Sequence, residues 1–76
     1  MQDYAACVAM LTDCLTITPG LSTLYCNRAV ANFKQAYSHL AHSDLQRSIQ
    51  LNHLNHVAHF NIFSLAYLQH ADISPP

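Results

Sequence analysis

The sequence predicts an all-α fold. Its apolar residues recur at intervals of three and four, which is the spacing of one face of a helix. The chain of 76 residues contains one glycine, although tight β-hairpins favour glycine in their turns. Hydrophobic residues make up 51% of the chain, which excludes a disordered segment because such segments are poor in apolar residues. One small helical domain fits this length.

The first two helices are predicted over residues 2–18 and 22–36. The first ends before Pro19, because proline does not continue a helix. Either Ser22 or Thr23 can cap the amino end of the second. The apolar positions are Tyr4, Cys7, Val8, Leu11, Cys14 and Leu15 in the first helix and Tyr25, Ala29 and Phe33 in the second.

The last two helices are predicted over residues 39–52 and 55–70. The links between all four helices are short, so consecutive helices are expected to be antiparallel neighbours. The inward positions are Leu40, Ala41, Leu45, Ser48 and Ile49 in the third helix and Phe60, Ile62, Phe63, Ala66 and Tyr67 in the fourth.

The charge of the chain excludes several classes of partner. Three Lys and Arg side chains stand against four Asp and Glu, so no basic surface for nucleic acid is expected. Residues 48–71 lack charged side chains but are rich in Ser, Gln, Asn and His, and we expect no membrane span there. With only 9% charged residues, part of the surface must be apolar, which indicates a protein partner or self-association.

The three cysteines predict a cytoplasmic protein with reduced, buried thiols. Cys7 and Cys14 lie two helical turns apart, too far for a disulfide within one helix. Both are expected to be buried and slow to react, whereas Cys26 is expected near a groove. Asp3 and the lack of a basic start argue against a signal peptide.

The chain repeats itself at an interval of 34 or 35 residues. Small residues fall on small residues and aliphatic residues on aliphatic residues, a match that a generic four-helix bundle does not explain. The pairs 34 apart are Cys7 and Ala41, Leu11 and Leu45, Cys14 and Ser48, and Leu15 and Ile49; those 35 apart include Tyr25 and Phe60, and Ala29 and Ser64.

Two segments resemble the tetratricopeptide repeat (TPR) family. The sequence Leu24-Tyr-Cys-Asn-Arg-Ala-Val-Ala31 is similar to the first helix of such a repeat, and Ala41 with Leu45 to the second. The resemblance implies a right-handed superhelical array of antiparallel helix-turn-helix units. Arg28 and Asn32 depart from the family pattern, which has leucine and an aromatic residue at these positions.

The resemblance also implies how the single domain is divided. Residues 22–55 correspond to one complete repeat. Residues 2–19 correspond to the second helix of a preceding repeat, and residues 57–73 to the first helix of a following one. Residues 74–76 form a tail. Apolar faces at both ends of this arrangement would then lack a covering helix.

The family implies a non-catalytic scaffold that binds a peptide or protein segment in an apolar concave groove. The groove-facing residues would come from the first helix of each repeat. They are Thr23, Cys26, Asn27, Val30, Phe33, Lys34, Ala58, Asn61, Ile62, Leu65, Leu68 and Gln69.

Self-assembly is the alternative function, in which the terminal helices of different copies pair to give a homo-oligomer. A groove binder would be monomeric, whereas an assembling chain would be dimeric or larger at micromolar concentration. The residues expected to associate are Tyr4, Val8, Leu11, Leu15, Phe60, Phe63, Tyr67 and Leu68.

No catalytic, cofactor or metal site is expected from the sequence. Cysteine, histidine, aspartate and serine are present, but no spacing places a base beside a nucleophile. His53, His56 and His59 recur at every third residue, yet no carboxylate lies near them to complete a metal site. The six histidines are interpreted as solvated polar residues.

Overall fold

The structure, a computed structural model, describes residues 3–62. Within this range the chain forms α1 (Tyr4–Ile17), α2 (Ser22–Lys34) and α3 (Ser38–Leu51), and a further helical segment, α4, over residues 56–62. No strand occurs among these residues, so the predicted all-α class is confirmed. The first three helices begin and end within two residues of the predicted positions. The predicted end of the fourth lies outside the described residues.

The start of α1 is set by Asp3, whose carboxylate accepts a hydrogen bond from the amide of Ala6 at 3.0 Å. At the other end the amide of Thr18 donates to the carbonyl of Cys14 at 2.8 Å, one residue before Pro19. Proline has no amide hydrogen and restricts the residue before it, so the helix stops here, as predicted.

The predicted cap of α2 is wrong. Leu21 occupies the capping position and makes no side-chain capping bond, so neither Ser22 nor Thr23 acts as the cap. The hydroxyl of Ser22 instead hydrogen-bonds across to Ser48 of α3, where it reaches the carbonyl oxygen at 2.8 Å. The Ser22 hydroxyl thus forms a hydrogen bond between helices instead of the local capping bond that was predicted.

The turn after α2 requires a left-handed residue, and that residue is Ala36, with a φ of 67°. The amide of Ala36 donates to the carbonyl of Phe33 at 2.9 Å, and the amide of Tyr37 donates to that of Asn32 at 2.9 Å. These two bonds form the Schellman motif, which usually has glycine at the left-handed position. The motif reverses the chain so that α3 returns along α2.

Helices α2 and α3 form an antiparallel hairpin. Ser22, at the start of α2, contacts Ser48 near the end of α3, and Arg28 further along α2 contacts Asp44 earlier in α3. Small residues let the backbones approach, since Ala29 and Ala41 are 1% and 0% exposed. Leu45 fills the space beside them and is buried, as predicted.

Helix α4 runs in the same direction as α2. Asn55, at its start, donates to the hydroxyl of Ser22 at 2.9 Å and accepts from the amide of Ala58 at 3.0 Å. Further along both helices, the side-chain amide of Asn61 lies 3.6 Å from the sulfur of Cys26. Ala58 is buried in the same core as Cys26. The core therefore lies where α2, α3 and α4 meet.

Candidate functional site

An open cleft lies between α1 and α2. Its volume is about 300 Å³, and one face of each helix supplies its walls. The exposed fractions of Met10 and Val30 are 66% and 41%, so two large apolar side chains in the cleft meet solvent. No charged side chain lines it. The lining residues are Tyr4, Cys7, Met10, Leu11, Asn27, Val30 and Ala31.

The helical repeat of 3.6 residues explains how the sequence builds this cleft. Tyr4, Cys7 and Leu11 follow one another at intervals of three and four on one face of α1, and Asn27 and Val30 do so on α2. The cleft can therefore accept an uncharged, largely apolar surface, with the Asn27 side chain offering a hydrogen-bonding group.

A second cleft, of about 340 Å³, is bordered by residues of α1, α2 and α3 and has an ion pair in it. Arg28 donates to both carboxylate oxygens of Asp44, at 2.8 and 2.7 Å, and to the hydroxyl of Thr12 at 3.2 Å. The Asp44 hydrogen bond raises the pKa of the Arg28 guanidinium. Asn32 also donates to Asp44, at 3.2 Å. Because Arg28 and Asp44 neutralise each other, the polar groups of the second cleft hold the helices together and are not free to bind a ligand.

Part of the predicted concave groove is exposed and part is not. Thr23, Asn27, Val30 and Lys34 of α2 are exposed, while Phe33, Asn61 and Ile62 are half-buried. Cys26 and Ala58, 3% and 0% exposed, are buried in the core, and their assignment to a groove surface is corrected. They are covered because α4 packs directly on α2. Leu65, Leu68 and Gln69 lie outside the described residues.

The predicted self-association set needs one correction. Leu15 is 7% exposed and belongs to the interior. Tyr4, Val8 and Leu11 are half-buried. Phe60 of α4 is 68% exposed. The remaining predicted residues, Phe63, Tyr67 and Leu68, lie outside the described residues.

The structure brings members of the two predicted sets together in one site. Asn27 and Val30, expected to bind a peptide, face the same cleft as Tyr4 and Leu11, expected to self-associate. Sequence reasoning missed Met10. Its position three residues after Cys7 on an apolar helix face was the signal that could have identified it.

The predicted order of cysteine burial is wrong. Cys7 is exposed, Cys14 is half-buried and Cys26 is buried, and all three thiols are free. Burial raises the pKa of the Cys26 thiol, and the hydrogen bond from Asn61 offsets this in part. Cys7 was expected to be covered because it corresponds to Ala41, but within the described residues α1 has no helix over that face.

The histidines make one polar contact of note near the start of α4. A ring nitrogen, Nε2 of His59, lies 3.0 Å from the carbonyl oxygen of His53. Between residues 3 and 62, no group of three or more His, Cys, Asp or Glu side chains could hold a metal ion. Nor does any helix of this range have the length and apolar character needed to cross a membrane.

No protein-family model, curated protein or solved structure matches this chain.

Proposed function

We propose that the chain is a non-catalytic protein-interaction scaffold of TPR type that binds a partner segment through the cleft between α1 and α2. The exposed residues of α2 beside the cleft, Thr23 and Lys34, would extend the contact surface. The observation that carries this proposal is the open, uncharged cleft with Met10 and Val30 exposed in it.

The repeat architecture is supported by the register of α4 on α2. Two contacts between these parallel helices join residues 33 and 35 apart, Ser22 with Asn55 and Cys26 with Asn61. The sequence repeats at 34 or 35 residues, so these two contacts bring residues of α2 close to their repeat counterparts. Stacking of successive hairpins produces this arrangement in helical-repeat proteins.

A binding role is supported by the chemistry of the exposed surface. Apolar side chains in an open cleft gain free energy when a partner covers them, at about 25 cal/mol for each Å² removed from water. Exposed apolar patches on small proteins mark interaction sites. An extended or helical segment with an uncharged face fits these walls, because a charge placed there would have no partner.

A non-catalytic role is supported by how the reactive groups are used. The hydroxyls of Ser22 and Ser48 each contact the backbone carbonyl of the other residue, at 2.8 and 2.9 Å. Burial raises the pKa of the Cys26 thiol, which disfavours the thiolate needed for nucleophilic attack. The three free thiols also support the proposed cytoplasmic location.

Peptide selection tests this function. A display library of random peptides is panned against the immobilised chain, and the enriched peptides are synthesised and titrated calorimetrically. We expect Val30→Glu, which places a charge in the cleft, to weaken binding by about tenfold or more, equal to about 1.4 kcal/mol.

The matched control is Leu40→Glu, which adds the same charge at a side chain that is 57% exposed and lies outside the α1–α2 cleft. This variant should bind like the original chain. Failure to enrich any peptide, or equal affinities for the Val30 and Leu40 variants, would contradict the proposal.

A further inference from the structure

The open face of α1 is equivalent to a face that α3 buries. Residues 34 apart in the repeat occupy corresponding positions on these two helices. On α3, Asp44 and Leu45 are 7% and 3% exposed, because α2 covers them. Their counterparts on α1 are Met10 and Leu11, and Met10 is 66% exposed. The cleft therefore lies where a helix placed like α2 would cover α1.

Helix α4 presents the matching surface. Val57 lies 35 residues after Ser22, which contacts α3 through Ser48. Val57 is 62% exposed, and Phe60, one turn later on the same side of the helix, is 68% exposed. In α2 the corresponding face is covered by its hairpin partner. In α4 the two largest exposed apolar side chains of the described segment lie on that uncovered face.

We propose that the partner in the cleft is α4 of a second copy of this chain. The proposal rests on the function proposed above and names the occupant of the same cleft. Helix α4 of one copy would lie antiparallel along α1 of the next, as α2 lies along α3 within one copy.

The chemistry of the two faces favours this occupant over a helix like α2. Arg28 of α2 needs a carboxylate, and α3 supplies Asp44. The equivalent position on α1 is Met10, which would leave such an arginine without a partner. Residues 56–62 of α4 contain no Asp, Glu, Lys or Arg. An uncharged helix therefore matches an uncharged cleft.

The repeat register fixes which residues meet. Ser22 and Ser48 lie opposite each other in the hairpin, with their hydroxyl oxygens 2.8 Å apart. Their counterparts are Val57 and Cys14, so Val57 of one copy should lie opposite Cys14 of the next. Each copy offers one cleft and one α4 face. One-way pairing of these two faces would extend copy by copy, whereas reciprocal pairing between two copies would close a twofold dimer.

Complementation between two variants tests this pairing. Sedimentation velocity of the whole chain over the micromolar range should show dimers or larger species. Met10→Glu places a charge in the cleft and leaves the α4 face unchanged. Phe60→Glu places a charge on the α4 face and leaves the cleft unchanged. Each variant alone should lose about tenfold or more in self-association. Their equimolar mixture should form a one-to-one dimer and grow no further. Leu40→Glu should assemble like the original chain, and circular dichroism confirms that each variant is folded.

Disulfide trapping tests the register independently. Under mild oxidation, Val57→Cys should form an intermolecular disulfide with Cys14 and not with Cys7, as identified by mass spectrometry of the digested dimer. Replacing Cys14 by serine in the same variant should abolish this link. A link at Cys7, or equal yields with and without Cys14, would overturn the proposed register.

The outcomes separate this inference from the function proposed above. A chain that stays monomeric throughout the micromolar range, or a mixture of the two variants that does not dimerise, overturns pairing between copies. If selected peptides still bind the cleft of such a monomer, the scaffold function stands with a different protein as its partner. If neither peptides nor copies bind, both proposals fail.

Discussion

Arg28 and Asp44 join α2 and α3 through a two-point ion pair. Nε and Nη2 of Arg28 donate to the two carboxylate oxygens of Asp44 at 2.8 and 2.7 Å. The Arg28 side chain is 22% exposed and that of Asp44 is 9% exposed. The same guanidinium reaches Thr12 of α1 and lies over the ring of Tyr25, 5.5 Å from its centre. One side chain thus connects three helices.

Breaking this ion pair on one side should destabilise the fold. Arg28→Leu leaves the Asp44 carboxylate without its charged partner, and we expect a loss of about 2 to 4 kcal/mol, near the range for a buried pair. Combining Arg28→Leu with Asp44→Met, the residue at the equivalent position of α1, should recover most of the loss. Urea unfolding followed by circular dichroism measures both. An unchanged free energy of unfolding for the single variant would show that the pair contributes nothing.

Leu45→Ala should largely unfold the chain. The side chain is 3% exposed and packs among Cys26, Ala29, Ala41 and Ala58. The substitution would leave a cavity in this core, and we expect a cost of about 2 to 5 kcal/mol. Leu54→Ala is the control, since Leu54 is 66% exposed. Equal melting temperatures for the two variants would refute this packing.

The cysteines should react with a thiol reagent in the order Cys7, Cys14, Cys26. Cys7 is exposed and Cys14 is half-buried, so Cys7 should react before Cys14. Burial raises the pKa of the Cys26 thiol, so at mildly alkaline pH less of it is thiolate than for a free cysteine. Pulsed alkylation of the dilute chain, read by mass spectrometry, measures the three rates. If Cys26 were modified as fast as Cys7, the contact between α2 and α4 would be disproved.

Ala36→Gly should stabilise the chain. Ala36 has a φ of 67°, where an L-residue loses roughly 1 to 2 kcal/mol and glycine does not. Glycine makes the unfolded chain more flexible, so we expect a net gain of about 0.5 to 1 kcal/mol. Ala9→Gly, the same substitution at an exposed position within α1, should instead cost about 1 kcal/mol. Thermal unfolding measures the change in stability of both variants. A loss of stability for Ala36→Gly would contradict the left-handed conformation at this turn.

The elements and the central packing could be predicted from the sequence, because they depend on local periodicity and on the repeat. The spacing of apolar residues indicated helices close to those observed. The alignment at 34 residues placed Leu45 in the core, where it is found. Both inferences depend on the spacing of residues along one helix face, and this spacing can be read from a single sequence.

The errors concern contacts between distant positions. Arg28 and Asn32 were noted only as departures from a family pattern, because nothing local identifies Asp44 as their common partner. Cys7 was assigned to the core through its counterpart Ala41. Burial, however, depends on which helix covers a position, and equivalent residues on α1 and α3 differ in that respect.

The α1–α2 cleft has a direct spectroscopic probe. The chain contains two methionines, so a sample with labelled methionine methyl groups gives two signals, one of which is Met10 in the cleft. Substituting Met10 by leucine assigns that signal. When a peptide selected by the chain is added, the account predicts that the Met10 methyl resonance shifts in step with the calorimetric binding curve. An unchanged Met10 resonance at saturating peptide would show that binding takes place elsewhere on the molecule.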